Sequence, residues 1–173
     1  MERRRGKIAG MQTSHMAAET KREHARATIR AFGEADAAAA TEILTASPEA
    51  SQWTEWGFRE LLGWRGVLAL VSEAESKVHG FIVGRQVAEE AEILNVAVAL
   101  SARRKGEGGA LVKAALAEFR AGRVSRVFLE VRESNETGIA FYEKHGFWRI
   151  GRRPGYYRDP KEAAIVMEMK LGG

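Results

Sequence analysis

Ala91–Gly109, AEILNVAVALSARRKGEGG, is the stretch on which the reading of this chain turns. It begins as an apolar strand and ends in Arg103-Arg104-Lys105-Gly106-Glu107-Gly108-Gly109. An amphipathic helix is predicted directly after it, from Ala110. Small residues between a buried strand and a helix let backbone N–H groups converge on an anion at the helix N-terminus. A phosphorylated ligand is therefore expected here. The loop is not a Walker A loop, because no Gly-Lys-Ser/Thr is present. Nor is it a dinucleotide fingerprint, because Leu111 stands at the third glycine position and no acid follows at the required distance. On spacing alone the glycines are equally compatible with structural punctuation.

Working outward, the preceding residues alternate between short strands and helices. Ala27–Phe32 reads as a first strand, with Glu34 or Asp36 favouring the start of an alanine-rich helix over Ala37–Thr45. Ser47-Pro48-Glu49 is a second helix-start signal, for a helix that carries Trp53, Trp56, Phe58, Leu61 and Leu62 to a stop at Gly63. The tryptophans at 53, 56 and 64 read as core or lid packing. Val67–Val71 and Lys77–Ala88 form a hairpin, with Gly80 and Gly84 as bulge candidates, and Glu92–Leu100 continues the meander. After the glycine loop, Leu111, Ala115, Leu116 and Phe119 recur at helical spacing as far as the stop at Gly122. Ser125–Val131 is a strand, Ser134–His145 a helix, and Phe147–Arg152 and Ala163–Leu171 are final strands joined by a polar loop. The order β–α–α–β–β–β–α–β–α–β–β predicts a layered α/β fold with a mixed, mostly antiparallel sheet, not repeated βαβ units.

Composition narrows the function classes. A chain of 173 residues with 45% hydrophobic and 29% charged residues is expected to form one domain, over residues 25–171. No apolar run reaches the ~18 residues of a membrane span, and no secretory core follows the basic start, so a cytoplasmic protein is expected. Cysteine is absent, which excludes a disulfide framework, a zinc–thiolate site and a thiol nucleophile. His15, His24, His79 and His145 lack the paired spacing of metal ligands, so no metal is expected. Residues 1–30 hold eight Lys/Arg against three Glu, whereas the rest of the chain is close to neutral. Residues 1–24 are read as a disordered basic tail: a tag or an extended start, with Met16 as a candidate start, or an arm able to touch RNA. The neutral body argues against nucleic-acid binding elsewhere.

The form of the loop is more specific than its glycine count. Arg103-x-x-Gly106-x-Gly108, after a strand ending Asn95-Val96-Ala97-Val98, resembles the acetyl-coenzyme A loop of the GCN5-related N-acetyltransferase (GNAT) superfamily, and the element order is similar to that fold. Phe128–Arg132 (FLEVR), Ser134-Asn135 and Ala140–Phe147 (AFYEKHGF) resemble the ribosomal-protein-alanine N-acetyltransferase (RimI-type) family. This resemblance implies acetyl-CoA as donor and a protein N-terminal amine as acceptor, the alanine of a ribosomal protein first among them. It further implies Glu130 as general base and Tyr142 as general acid. Backbone groups of Val96, Ala97 and Val98 would hold the thioester and pantetheine, with Asn135 beside them. Arg104, Lys105, Gly106, Glu107, Gly108 and Gly109 would take the pyrophosphate. Tyr156 and Tyr157 resemble the end of that family's Arg-Arg-x-Tyr-Tyr segment and would contact the acceptor. This chain has Pro154-Gly155 where the pattern has one residue, which leaves the register of that loop open.

The residues themselves suit this chemistry. Acetyl transfer from a thioester to an amine needs a proton removed from nitrogen, a developing oxyanion stabilised, and a leaving thiolate protonated. A strand glutamate between apolar neighbours gains basicity from desolvation, and a phenol of ordinary pKa about 10 is suited to protonating a thiolate. An α-amine, at about 7.7–8.0, is far more often neutral at pH 7 than lysine, at about 10.4, which favours an N-terminus. Glu92, or Glu90, at the entry to its strand is a candidate anchor for a positively charged substrate end. The alternatives are an acetyltransferase for lysine or a small amine, and a non-catalytic acetyl-CoA-binding or RNA-associated protein.

Overall fold

A computed structural model describes residues 27–172, so the expectation for the basic tail lies outside the described residues. The elements run β1 (Thr28–Ala31), α1 (Ala37–Thr45), α2 (Glu55–Leu62), β2 (Val67–Ala74), β3 (Lys77–Val87), β4 (Glu90–Val98), α3 (Glu107–Ala121), β5 (Arg126–Arg132), α4 (Glu136–Lys144), β6 (Trp148–Arg158) and β7 (Lys161–Lys170). The strands form one sheet in the order β1-β2-β3-β4-β5-β7-β6. Every pairing is antiparallel except β4 with β5, which the α3 crossover joins in parallel. The mixed, mostly antiparallel sheet flanked by helices agrees with the sequence expectation.

Helices cover both faces. Leu111, Val112, Ala115, Leu116 and Phe119 of α3 pack with Ile82, Ile93, Val127, Leu129 and Met167 on one side. Ala37, Ala40 and Leu44 of α1, with Phe58 of α2, pack with Val71, Phe81, Val83 and Ala97 on the other. β3 is thus buried on both faces, as its continuous apolar run requires. Phe58 is the hinge pin of the second core, stacked on Phe32 at 5.4 Å and edge-on to Phe81 at 5.1 Å.

Three local departures matter for the site. α2 starts at Glu55 rather than at Ser47-Pro48, because Thr54 accepts the Gly57 N–H at 3.1 Å. The Ser47 hydroxyl is instead taken by Arg103 Nη2 at 2.7 Å, and Ser47–Ala50 closes as a turn. A β-bulge lies opposite Gly84, but the extra residue is Leu94 of β4: Val83 faces Asn95 whereas Gly84 faces Ile93. The segment expected as a polar loop after Arg152 continues β6, paired to β7 across a wide bulge. Among the tryptophans, Trp53 packs on Phe58 at 5.3 Å, while Trp56 and Trp64 are exposed.

Candidate active site

The bulge at Leu94 sets up the site. Before it, Ala91 and Ile93 point to the α3 face; beyond it, Val96 and Val98 pack against that core while Ala97 points to the opposite one. At the same place β4 parts from β5, since their pairing runs only from Glu90–Arg126 to Ile93–Leu129. The edge of Leu94–Val98 that faces β5 has no strand partner, although it lies in the middle of a seven-stranded sheet. Such an edge offers backbone N–H and C=O groups to an extended ligand carrying amides. Val96, Ala97 and Val98 meanwhile keep their ladder to β3, which holds that edge rigid.

Glu130 is the first residue of β5 beyond the last pair. Val127, Leu129 and Val131 face α3 and α4, so Glu130 stands on the other face of the sheet, beside Glu92 at the end of β4's paired segment. Its side chain is 12% exposed. Burial and the neighbouring Glu130 charge push the Glu92 carboxyl up, with Arg153 partly offsetting them. Glu90, the alternative anchor, is an exposed partner of Arg126. Tyr142 comes from α4, on the face opposite Glu130, where Phe141 and Phe147 meet its ring edge-on at 5.2 and 5.8 Å. Burial pushes its phenol well above the ordinary value, so it keeps its proton at neutral pH. Both residues line one slot, with Leu94, Asn95, Val96, Leu129, Val131 and Tyr157 among its walls.

At the far end of β4 the glycine loop turns into α3. Gly106 is left-handed, with φ 90°, and a Cβ there would meet nothing within 4 Å, so the backbone rather than the space demands glycine. Ala110 N–H makes the first bond of the helix, to Gly106 O at 3.0 Å, so the N–H groups of Glu107, Gly108 and Gly109 precede any intrahelical partner. Arg104 and Lys105 are exposed and lack a carboxylate partner among the described residues. This fits a pyrophosphate. Gly109 has a second role, since a Cβ there would lie 2.8 Å from His145 Nε2 on α4. The Glu107 side chain turns away from the loop: it accepts from the Ser72 hydroxyl and meets His79 Nδ1 at 3.0 Å. Its contribution to an anion is therefore its backbone N–H. Asn135 caps α4 by accepting the Gly138 N–H at 2.8 Å, which leaves its amide NH2 free to donate.

The β6–β7 hairpin supplies the remaining wall. Arg153 Nη1 donates to Glu130 Oε1, and the same carboxylate, close to the Tyr156 hydroxyl, pushes that phenol up to about 12. Tyr157 lines the slot, its ring 4.1 Å below the Arg132 guanidinium, and burial raises it as well. Two features escaped sequence reasoning. Arg153, expected in the polar loop without a role of its own, lies on β6, and Ser72, expected in the short turn between the two hairpin strands, is wholly buried within β2. A serine in the run Val67–Ala74 was the signal that something polar faces it. Among the described residues no group of three or more His, Asp or Glu is placed to hold a metal, and no helix is long and apolar enough to cross a membrane.

Comparison with known proteins identifies the family and agrees with the fold. The model of the Acetyltransferase (GNAT) family matches residues 37–147. The [ribosomal protein bS18]-alanine N-acetyltransferase of Escherichia coli strain K12 is 33% identical over 121 residues, covering 69% of this chain and 81% of that protein. The protein of the same name from Salmonella typhimurium strain LT2 is 32% identical over 146 residues, covering 83% and 97%. The crystal structure of the ribosomal-protein-S18-alanine N-acetyltransferase from Escherichia coli superposes with a TM-score of 0.74 at 31% identity, over 85% of this chain and 96% of that one.

Proposed function

The chain belongs to the acetyltransferase (GNAT) family, and from that premise we propose that it moves acetyl from acetyl-CoA to the α-amine of a protein N-terminus, with a ribosomal protein's N-terminal alanine as leading acceptor. The observation that carries this reading is the convergence of Glu130 and Tyr142 on one slot where β4 and β5 part. The acceptor side rests on the names of the relatives, which act on the alanine of bS18.

The donor supplies an activated thioester; the chain's residues supply position and protons. The first-turn N–H groups of α3, with Arg104 and Lys105, suit the pyrophosphate. The unpaired edge of Val96–Val98, with the Asn135 amide beside α4, suits the amides of the pantetheine arm. That edge then leads the thioester to the fork, where a β4 N–H group is the donor for oxyanion charge. Glu130, on one face, takes the proton of the attacking amine, directly or through one water. Tyr142, on the other, protonates the departing sulfur. Glu92, Tyr156 and Tyr157 line the acceptor's approach and are assigned to hold it. Because amine and sulfur sit on opposite sides of the carbonyl being exchanged, a base and an acid on opposite faces suit direct transfer.

Purified protein with acetyl-CoA and peptides differing in their first two residues tests the reading. Thiol release with alanine-initiated peptides, abolished by prior acetylation of their α-amine, supports it. Transfer confined to internal lysines sinks it in favour of a lysine acetyltransferase.

A further inference from the structure

Three residues of β6, Pro154–Tyr156, stand opposite the single Ala163 of β7, with Gly155 at φ 63°. This bulge lifts β6 off its ladder and carries Arg153 and Tyr156 over β7 to the fork in the sheet. The Arg153 guanidinium donates to Glu130, lies over the Tyr156 ring at 4.7 Å and is favoured by the charge of Glu92. Two carboxylates and a tyrosine thus surround one cation, in the place where the proposed function needs an acceptor's ammonium.

We infer that Arg153 is a built-in competitor for the acceptor's ammonium, a specificity-determining residue that a protein N-terminus must displace from Glu130; the inference rests on the reading of Glu130 as the base. The asymmetry of exposure gives the direction of movement. Glu130 is 12% exposed and sits on a central strand, whereas Arg153 is 59% exposed on the edge hairpin, so the guanidinium is the partner able to leave. Water resolvates the departing cation at little cost, and the entering ammonium restores the charge pairing on the carboxylates. The neighbouring arginines are otherwise engaged. Arg152 forks onto Glu133 at 2.6 and 2.7 Å, and Arg132 is held by Glu162 at 3.3 Å and by Asp159 O at 3.1 Å. Among the described residues, Arg153 is the arginine of β6 whose partner lies in the slot. An acceptor lacking an ammonium, such as an N-acetylated peptide, gains nothing by displacing it, so the guanidinium also favours product departure.

The test measures binding without chemistry. Titrating an alanine-initiated peptide into the full-length protein saturated with CoA, Arg153→Gln should bind the peptide about three- to fivefold more tightly than the unaltered protein. Arg153→Lys, which keeps a cation, should stay within about twofold, and the N-acetylated peptide should bind Arg153→Gln and the unaltered protein equally. Equal affinity of the free-amine peptide for both proteins overturns the competition alone. Weaker binding by Arg153→Gln also overturns it, making Arg153 an acceptor ligand. Absence of peptide binding in either protein sinks the N-terminal acceptor reading together with this one.

Discussion

Glu130 and Tyr142 reach one slot from opposite faces of the same sheet, a relationship available only because β4 and β5 separate beyond Ile93 and Leu129. In a continuous sheet the backbone would stand between them. In the proposed mechanism, proton removal and proton delivery therefore have separate routes. Glu130→Gln should lower kcat about hundredfold or more. Tyr142→Phe, which keeps the ring packing on Phe141 and Phe147, should also lower kcat substantially. Neither change should move CoA affinity by more than about twofold, because the loop proposed to hold the pyrophosphate lies at the other end of β4. Steady-state kinetics beside calorimetric titration of CoA separates the two effects.

Gly106 offers a cleaner test of the donor loop. Its neighbourhood is empty, so Gly106→Ala costs only the left-handed backbone, about 1–2 kcal/mol. CoA affinity should fall several-fold with alanine and considerably further with Gly106→Asp, which adds a negative charge facing the pyrophosphate. If the two variants bound CoA alike, charge at this loop would not matter and the assignment of the pyrophosphate would fail.

The buried partnership of Ser72 with Glu107 fixes the start of α3 to the sheet. Glu107→Leu leaves a fully buried hydroxyl without its acceptor and should cost about 1–3 kcal/mol in urea unfolding. Ser72→Ala combined with Glu107→Leu should recover much of that loss, since two apolar partners leave nothing unsatisfied. An additive double variant would show that the pair carries no coupling.

Asp36 should govern stability at the acid end. Hydrogen bonds from Arg30, at 2.7 and 2.9 Å, and from the Gly33 N–H, at 2.8 Å, hold its carboxyl below the usual carboxylate range. A lowered folded value means that its contribution is fully present above about pH 4 and is lost as the pH falls through that lowered value. Asp36→Asn should therefore be about 1–2 kcal/mol less stable than the unaltered protein at pH 7, with the difference shrinking below about pH 4. Urea midpoints measured from pH 7 to pH 2.5 give the comparison.

Much of the fold was legible because its signals are local. The alternation of Val127, Leu129 and Val131, the period of Leu111, Ala115 and Phe119, and the glycines at 106, 122 and 146 each act within one element. The loop Arg103–Gly109 and the residues Glu130, Asn135 and Tyr142 were legible as motifs. What the sequence hid was relational. The bulge at Leu94 has no residue signature, since leucine fits a regular strand equally well, yet it turns Ala97 and Val98 to their final faces. The start of α2 depended on Arg103 claiming Ser47 from 56 positions away, which left Thr54 to cap the helix. The inward turn of Glu107 required knowing that α3 packs over Ser72 and His79. The reach of Arg153 required the bulge that Pro154-Gly155 makes in a strand rather than in a loop.

The parting of β4 from β5 should also give the protein an unusual hydrogen-exchange profile. Amides in the middle of a large sheet are ordinarily among the slowest to exchange, since opening them requires global unfolding. Along Leu94–Val98, the amides facing the gap have no neighbouring strand and should exchange with the speed of a sheet margin, while those facing β3 stay protected. A bound pantetheine arm would act as the missing strand and slow the first set without altering the second. Deuterium uptake over this one segment would thus report donor occupancy from inside the fold, with no label and no turnover.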